Sequence, residues 1–390
     1  MRDNFKEKIK ILMIGAETPG GVSTYINEYI NWSNKKVFEY HMTTSDEFIP
    51  IRKLTNLGRE INIIKHKFTG LYSLISLFRR IREIRKIIIE NKINIIHLHT
   101  ARAGFLGCIG SYGLNIKIVY TGHTWRFEQK GNKLLRYLFS KFEKFICFRS
   151  NIVTFLTEGD LLKGLKFHLV NINKCRYIKT QINPSPYNIV SNEVSNALRN
   201  KFKIPENSFI IGNCGYLSER KDPITFINIA AEVIKERDDV YFLWVGDGEL
   251  KDEVIKRIDE LGIEKKVYIT GWKKPQEIPL YLSIMNLFLF TSLLEGVPLS
   301  ILSAQASNIL VISADYKGSG VKELIVHEEN GLIFKTKDVK KGKELIINIL
   351  NDKCKWEQII INMKNRFLNS NSNPKNMAQQ YESIYESILQ

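Results

Sequence analysis

Short apolar runs, each about the length of a β-strand, alternate along this 390-residue chain with segments of helical periodicity. Continuous apolar runs are typical of parallel strands that are buried on both faces of a sheet. Their alternation with helices predicts an α/β fold built from βαβ units. The chain is too long for one ordinary core, which predicts two domains. The apolar runs are residues 9–15, 93–100, 116–123, 209–214, 240–248, 267–272, 286–290 and 309–315.

A polar stretch after Ile178 interrupts this alternation and separates the two halves of the chain. It reads QINPSPYNIVSN, and its two prolines, Pro184 and Pro186, favour an irregular connection. We therefore predict an interdomain linker here, between an N-terminal domain at residues 1–187 and a C-terminal domain at residues 188–372. A final helical pattern lies within residues 373–390.

The composition is that of a globular protein without a transmembrane segment. Hydrophobic residues make up 44% of the chain and charged residues 25%. No run of about 18 apolar residues occurs, and the start MRDNFKEKIK lacks the apolar segment of a signal peptide. The five cysteines are scattered, which favours free thiols in a reducing compartment over disulfides or a zinc site. We therefore expect a cytoplasmic protein.

The excess positive charge lies in the first half of the chain. Residues 1–187 contain 31 Lys and Arg against 14 Asp and Glu, a net charge of +17, while the remainder contains 26 against 27. Such a field attracts partners that carry phosphate. Two segments, residues 77–90 and 132–149, combine basic side chains with a helical apolar pattern. Each is either an ordinary domain helix with a solvated basic face or a helix that lies on an anionic membrane.

The stretch with the most chemical content is residues 291–306, TSLLEGVPLSILSAQA. It joins a predicted strand to a predicted helix. Pro298 suits the first turn of that helix, and Gly296 allows a sharp bend before it. The free N–H groups at such a helix start, together with the helix dipole, form an anion site. Glu295 either caps a neighbouring N–H or holds sugar hydroxyl groups next to a bound diphosphate.

The sequence EGVPLSILSAQA resembles the EGxPxxxxEA motif of the retaining, nucleotide-sugar-dependent glycosyltransferases of family 4. The resemblance covers nearly the whole chain and is strongest at residues 93–123, 209–230 and 240–334. It implies the GT-B fold, an α/β architecture of two facing, doubly wound parallel-sheet domains with a C-terminal crossover helix. That helix, at residues 373–390, is expected to pack back on the N-terminal domain.

Two positions depart from the family pattern, and both belong to the expected donor site. Ser303 stands where the family has a second Glu that usually holds the ribose hydroxyls of the nucleotide. Tyr216 stands where the family has an Arg that grips the donor diphosphate, although Lys221 matches the family and Arg220 is adjacent. We expect Arg220 to supply the missing positive charge and the Ser303 hydroxyl to keep one contact with the ribose.

The resemblance implies a set of site residues at the ends of the predicted strands. The expected catalytic residues are Glu295, His123 and Lys221. Gly20 and Gly21 match the paired glycines that lie beside the donor and the acceptor. The full set of expected donor-binding residues is Gly20, Gly21, Arg220, Lys221, Gly246, Trp272, Glu295, Gly296, Val297, Pro298, Leu299 and Ser303.

Histidines end two of the predicted strands. His97 and His99 point to the same face of one strand, but no third metal ligand is near them in sequence. We therefore expect no metal and no other cofactor. His123 ends the next strand and matches a family position beside the sugar or its phosphate.

The resemblance implies transfer of a hexose-type sugar from a nucleotide sugar, with retention at the anomeric carbon, in the synthesis of surface polysaccharide or glycoconjugate. The expected partners are the nucleotide sugar, a sugar or lipid-linked acceptor and, through the N-terminal domain, an anionic membrane at its cytoplasmic face. No nucleic-acid partner is expected. Two alternatives remain open, namely a GT-B nucleotide-sugar 2-epimerase and a non-catalytic GT-B partner protein with a degraded donor site.

Overall fold

The computed structural model describes residues 7–15, 20–44, 62–65, 74–128, 132–315 and 319–390. It divides into two compact units, and the first unit is formed by two separate segments of the chain. The first unit consists of Met1–Thr180 and Pro374–Gln390, and the second consists of Gln181–Asn373. Each unit combines a parallel β-sheet with α-helices, as the alternating sequence pattern predicts.

The first unit contains a seven-stranded parallel sheet. Its strands are β1 (Ile9–Ile14), β2 (Phe38–Thr44), β3 (Asn62–Lys65), β4 (Ile95–Leu98), β5 (Lys117–Gly122), β6 (Ile152–Phe155) and β7 (Cys175–Tyr177). Their order across the sheet is β3-β2-β1-β4-β5-β6-β7. Strands β4 and β6 are buried along their whole length, which explains why apolar residues follow one another there without alternation.

The helices before the second unit are α1 (Gly21–Ile30), α2 (Leu74–Glu90), α3 (Ala101–Gly110), α4 (Lys133–Arg149) and α5 (Glu158–Lys166). The apolar side of α2 packs into the core of the first unit through Ile84 and Ile88. Helix α3 begins directly after β4, because the Thr100 side chain accepts a hydrogen bond from the N–H of Ala103 (3.1 Å) and caps the helix.

The second unit contains a six-stranded parallel sheet with the order β10-β9-β8-β11-β12-β13. Neighbouring residues of its central strand, Leu287 and Phe288, belong to two different core clusters, so the sheet is covered on both faces. The strands are β8 (Phe209–Cys214), β9 (Val240–Val245), β10 (Val267–Ile269), β11 (Leu287–Phe290), β12 (Leu310–Asp315) and β13 (Leu332–Lys335). The helices are α6 (Asn192–Lys201), α7 (Pro223–Ile234), α8 (Lys251–Leu261), α9 (Ile278–Leu282), α10 (Leu299–Ala306), α11 (Val321–Leu324), α12 (Val339–Asn351) and α13 (Lys353–Ser370).

The last helix, α14 (Pro374–Leu389), belongs to the first unit. Two of its tyrosines are fully buried there and make polar contacts. The hydroxyl of Tyr381 lies 2.7 Å from that of Tyr25 on α1, and the hydroxyl of Tyr385 lies 2.7 Å from Nδ1 of His97 on β4. These buried hydrogen bonds fix the register of α14 on the first sheet.

The segment predicted as a linker packs on the second unit. The division between the units falls after Thr180, whereas the sequence placed it after residue 187. The N–H of Ile182 donates to the carbonyl oxygen of Asn371 (2.9 Å), and the Ile182 side chain is buried in a core cluster of the second unit. Pro184 and Pro186 give a turn signal, but the apolar residues beside them determine which unit the segment joins.

Both sheets have a point at which the strand order reverses. In the first unit the chain builds β1, β2 and β3 towards one edge and then returns to place β4 on the other side of β1. In the second unit it builds β8, β9 and β10 and then returns to place β11 beside β8. Open α/β sheets bind ligands at the carboxyl ends of the strands that flank such a switch point. The loops after β1, β4, β8 and β11 are therefore the places to look for a site.

Candidate active site

The loops that follow β8 and β11 are hydrogen-bonded to each other. The N–H of Leu293 donates to the carbonyl oxygen of Arg220 (2.7 Å). The hydroxyl of Thr291 donates to the carbonyl oxygen of Lys221 (3.1 Å). Asp222 follows with a left-handed backbone (φ 49°), and its side chain caps α7. This arrangement holds Arg220 and Lys221 beside the stretch that begins at Thr291.

Lys221 and Glu295 form an ion pair at the switch point of the second sheet. The Lys221 Nζ lies 2.7 Å from Glu295 Oε1, and the two side chains are only 15% and 10% exposed. Burial raises the pKa of Glu295, but the charges of Lys221 and Arg220 outweigh it and hold the pKa below its usual value. The Glu295 carboxylate is therefore ionised at neutral pH, and it accepts hydrogen bonds but donates none.

Helix α10 begins one residue later than the sequence predicts. Pro298 is the N-cap, with an extended backbone (φ −75°, ψ 101°), and Leu299 is the first helical residue. Gly296 is not among the described glycines with a positive φ, so the bend before the helix does not use the left-handed conformation. Ser300 lies in the first turn, and its buried Oγ has no hydrogen-bond partner in the described part of the chain. This hydroxyl and the first N–H groups of α10 can donate hydrogen bonds to an anion bound beside Glu295.

The turns after β8, β9 and β10 lie in close backbone contact with one another. Gly246 has a φ of 150°, and a Cβ there would collide with the carbonyl oxygen of Gly215. Gly246 also forms a bridge with Gly271, the residue before the exposed Trp272. The structure thus places the predicted residues Gly246 and Trp272 on the same edge of the sheet as Lys221.

Tyr216 and Arg220 are both exposed on the loop after β8. The positive charge of Arg220 contributes to the lowered pKa of Glu295, so its guanidinium acts on the same group as Lys221 does. Arg220 is therefore close enough to add positive charge at this edge, whereas Tyr216 adds none. That Arg220 compensates for Tyr216 in donor binding stays a prediction.

Ser303 has a partner that sequence reasoning missed. Its Oγ lies 2.9 Å from the phenol oxygen of Tyr187, which belongs to the segment predicted as a linker. The two residues are 116 positions apart, and no periodicity or motif in the sequence connects them. A ligand at Ser303 would therefore meet a hydroxyl pair, and the Ser303–ribose contact itself stays a prediction.

In the first unit, histidines at the ends of β4 and β5 lie against each other. Nδ1 of His99 is 3.3 Å from Nε2 of His123. Burial lowers the pKa of His123 to about 4 and holds that of His99 well below its usual range, so both rings are neutral at neutral pH. His97 is also buried, and its two ring nitrogens contact the hydroxyls of Tyr385 and Thr121, both at 2.7 Å. Of these residues only His123 was predicted as a site residue.

The paired glycines begin helix α1. The N–H of Gly20 lies 3.1 Å from the Oγ of Ser23, and nothing described lies within 4 Å of a Cβ placed at Gly20 or Gly21. Packing against the described residues therefore does not require glycine at either position, whereas the positive φ of Gly20 (156°) favours glycine there. Within the described ranges, no group of three or more His, Cys, Asp or Glu side chains could hold a metal ion. The expectation that the reaction needs no metal or other cofactor stays a prediction.

Two family models match successive parts of the chain. The model described as "Glycosyltransferase Family 4" matches residues 19–160, and the model described as "Glycosyl transferases group 1" matches residues 194–382. The chain belongs to the group 1 glycosyltransferases of family 4. The family that the motif EGVPLSILSAQA indicates is thereby confirmed, and the chain is a glycosyltransferase.

Named relatives of this family-4 glycosyltransferase include a galactosyltransferase and a glycosyltransferase of capsular polysaccharide biosynthesis. The UDP-Gal:alpha-D-GlcNAc-diphosphoundecaprenol alpha-1,3-galactosyltransferase of Escherichia coli is 26% identical over 302 residues, which are 76% of this chain and 74% of that protein. The capsular polysaccharide biosynthesis glycosyltransferase CapM of Staphylococcus aureus is 24% identical over 92% of this chain and 93% of that protein.

Solved structures confirm the predicted fold class. Anabaena HepE in complex with UDP and glucose superposes with a TM-score of 0.81 at 17% identity, covering 98% of this chain and all of that chain. Sucrose-phosphate synthase from Thermosynechococcus elongatus has the same TM-score at 16% identity. The superposition covers 98% of this chain and 99% of that chain. The glycosyltransferase therefore has the α/β architecture of the GT-B fold. Likeness at such low identity bears on the fold alone, and the roles of individual site residues stay predictions.

No helix in the described part of the glycosyltransferase is long and apolar enough to cross a membrane. The predicted attachment to a membrane surface is a separate question, and it depends on which side chains the first unit exposes.

Proposed function

We propose that this glycosyltransferase moves a hexose-type sugar from a nucleoside-diphosphate sugar to an acceptor, with retention of the anomeric configuration. The observation that carries the proposal is the Lys221–Glu295 ion pair at the switch point of the second sheet, beside the start of α10. The Lys221 ammonium and the N–H groups at the helix start can bind a diphosphate. The ionised carboxylate of Glu295 can accept hydrogen bonds from sugar hydroxyls. Anabaena HepE has been solved with UDP-glucose, which supports a donor of this class.

The proposed reaction depends on electrostatic stabilisation of the leaving group. When the bond between sugar and diphosphate breaks, negative charge grows on the diphosphate. Lys221, Arg220 and the first N–H groups of α10 would stabilise that charge, and this kind of term usually dominates catalysis. Glu295 would orient the sugar as a hydrogen-bond acceptor, since an ionised carboxylate is no general acid. Retention is inferred from the family resemblance, and we assign no enzymic base.

The proposal is tested by a donor screen on the full chain. UDP-, GDP-, ADP- and CMP-sugars are incubated separately with the enzyme, and donor binding, released nucleotide and free sugar are measured. We expect one donor class to be turned over slowly without acceptor, and Glu295→Gln to reduce that turnover. Lys235→Ala is the matched control, because Lys235 pairs with Glu232 on the exposed surface of the same unit.

The same screen separates the two alternative functions. An epimerase would release a sugar inverted at C2, whereas the proposed transferase would release the unchanged sugar. A chain that neither turns over nor binds any of the four donor classes would be a non-catalytic partner protein, for which Tyr216 and Ser303 are the sequence features in favour. Either result would overturn the proposed function.

We also propose that α4 attaches the enzyme to an anionic membrane surface. Every residue from 132 to 138 is exposed, and the exposed apolar side chains include Leu134 and, at the far end of the helix, Phe148, which is 76% exposed. A concentration of exposed apolar side chains marks an interaction surface, and basic neighbours favour anionic lipid. The exposed apolar residues are Leu134, Leu135, Tyr137, Leu138, Phe142, Phe145 and Phe148, and the basic residues are Lys133, Arg136, Lys141, Lys144 and Arg149.

The other basic helix, α2, is the weaker candidate for a membrane contact. Among the side chains of α2 from residue 77 onwards, which the structure describes, Ile84, Ile87 and Ile88 are buried in the core and Phe78 and Ile89 are separate exposed positions. The charge of the first unit as a whole favours an anionic partner. The first unit contains 32 basic and 16 acidic residues, whereas the second contains 25 of each.

A membrane position suits a lipid-linked acceptor. The Escherichia coli relative is named for a diphosphoundecaprenol-linked sugar, and the Staphylococcus aureus relative is named for capsular polysaccharide. We therefore place the proposed reaction on a lipid-linked diphosphate at the cytoplasmic face of the cell membrane, in surface polysaccharide synthesis. This acceptor would add its own negative charge to the attraction between the first unit and the membrane.

Vesicle binding of the full chain tests the membrane proposal. Vesicles that contain phosphatidylglycerol should bind the enzyme, vesicles of phosphatidylcholine alone should not, and affinity should fall as salt rises. Leu134→Asp with Phe148→Asp should weaken binding at least about tenfold, because each apolar side chain contributes roughly 1.5–3 kcal/mol when buried. The control is Ile361→Asp, which changes an exposed apolar residue of the second unit. Absent or salt-insensitive binding would favour a soluble acceptor.

A further inference from the structure

The pair formed by His99 and His123 has an unusual hydrogen-bonding pattern. His99 is fully buried, its Nδ1 lies 3.3 Å from Nε2 of His123, and its Nε2 has no hydrogen-bond partner among the described residues. His97 on the same face of β4 is equally buried, but hydroxyl groups of Tyr385 and Thr121 lie against both of its nitrogens. His97 is thus a satisfied core histidine, whereas the one described hydrogen-bonding contact of the His99 side chain is His123.

Two protonation arrangements are compatible with this contact. Both rings are neutral at neutral pH, because burial lowers both pKa values. In the first arrangement Nδ1–H of His99 donates to Nε2 of His123, and the lone pair on Nε2 of His99 stays unpaired. In the second arrangement Nε2–H of His123 donates, and His99 is left with a buried N–H that has no acceptor. Buried N–H groups without partners are rarer in proteins than unsatisfied acceptors, which favours the first arrangement.

We propose that His99 is a positioning residue that fixes His123 in the tautomer with its proton on Nδ1. The identity of the protonated nitrogen in a histidine is set by the hydrogen bond that the other nitrogen makes. Nε2 of His123 is engaged by His99, so the remaining nitrogen carries the proton. The ring itself is held by Tyr25, which meets it edge-on at 5.4 Å between centroids and is in turn fixed by its contact with Tyr381 (2.7 Å).

This tautomer gives His123 a defined chemical role. His123 is partly exposed and directly follows β5, so an Nδ1–H on its ring would be a neutral hydrogen-bond donor for an oxygen of a ligand bound there. The inference rests on the proposed function for the identity of that oxygen, which would belong to the sugar or its phosphate. A neutral donor can bind a sugar hydroxyl or phosphate oxygen without titrating near neutral pH.

The test is the tautomeric state of His123 in the ligand-free full chain. Nitrogen-15 NMR of protein labelled at histidine, at pH 7.5, shows which ring nitrogen carries a proton through its one-bond coupling. The signals of His123 are assigned by their loss in His123→Gln. We expect the coupling on Nδ1 and none on Nε2. A proton on Nε2 of His123 in the unmodified protein would overturn the inference, and this readout needs no donor sugar or turnover.

Two substitutions separate positioning from packing. His99→Leu fills the buried site without a hydrogen-bonding group and should abolish the preference for Nδ1–H at His123. His99→Asn places an amide near the position of Nδ1 and should restore it. The control is His97→Asn, which disturbs an equally buried histidine and should leave the tautomer of His123 unchanged. An Nδ1–H preference that survives His99→Leu in a folded protein would show that His99 does not set it.

Discussion

Removal of Lys221 should destabilise the second unit, because it leaves the Glu295 carboxylate without its main partner. Breaking a fully buried ion pair costs about 3–5 kcal/mol, and breaking an exposed one costs about 0.2–1 kcal/mol. The side chains here are 15% and 10% exposed, which places the pair between these limits. We therefore expect Lys221→Ala to lower the free energy of unfolding by about 2 kcal/mol at pH 7. For a unit of this size that corresponds to a fall in Tm of roughly 4–8 °C.

A double-variant cycle identifies the origin of that loss. Unfolding of the ligand-free full chain is followed by urea titration for Lys221→Ala, Glu295→Gln and the combined variant. The combined variant should lose less than the sum of the single variants, because it leaves no unpaired buried charge. The control, Lys235→Ala, breaks a pair with Glu232 that is largely exposed and should change stability by less than about 1 kcal/mol. Strict additivity would refute a direct Lys221–Glu295 interaction.

The pH dependence of Lys221→Ala follows from the sign of the Glu295 shift. In the unmodified protein the folded-state pKa of Glu295 lies below its unfolded value of about 4.3. Its contribution to stability is therefore complete above that value and is lost as pH falls through the folded pKa. In Lys221→Ala the effect of burial should raise the pKa, so the folded variant takes up a proton as pH falls from 7 towards 4. The stability difference between the two proteins should shrink over this window, and a constant difference would contradict the account.

Three further outcomes concern ligand binding and turnover. Glu295→Gln should lower donor turnover about tenfold or more, since a hydrogen bond to a charged group is worth about 1.5–3 kcal/mol; unchanged turnover would remove Glu295 from the site. UDP at about 100 times its Kd should stabilise the fold by about 2.7 kcal/mol, and Arg220→Ala should abolish most of the resulting rise in Tm; a full rise would mean that Arg220 does not contact the diphosphate. Ser303→Glu should strengthen UDP binding measured by calorimetry, because a carboxylate there can accept from the ribose and from Tyr187; weaker binding would show that the Tyr187 phenol leaves no room for it.

Residue type and order were sufficient to predict the buried strands beside each switch point, but they did not single out β2, β3, β6 and β7 of the first sheet. A parallel strand buried on both faces must be apolar along its length, so runs such as residues 9–15 and 309–315 allow few other structures. The same reasoning placed Lys221 and Glu295 at strand ends on one edge, because parallel strands end together. Their separation of 2.7 Å depends on the hydrogen bonds between the loops after β8 and β11, which no local pattern encodes.

The parts that sequence reasoning missed depend on contacts between distant segments. Tyr187 lies in a stretch whose prolines indicate a linker, and only the packing of Ile182 and Tyr187 on the second unit brings it to Ser303. His99 has the sequence environment of a core strand end, and its importance becomes visible only when β5 places His123 against it. The start of α10 differs by one residue because Pro298 serves equally well before a helix or in its first turn.

The central claim is that Lys221 binds the diphosphate of a nucleotide-sugar donor, and calorimetry with UDP and uridine tests it most directly. Affinities of the unmodified enzyme and of Lys221→Ala are measured for both ligands at fixed ionic strength. A lost charge-assisted hydrogen bond is worth about 1.5–3 kcal/mol, so we predict that UDP binding weakens roughly 10- to 150-fold in Lys221→Ala. Uridine, which has no phosphate, should bind both proteins equally. Equal weakening of UDP and uridine, or no weakening of either, would contradict the account.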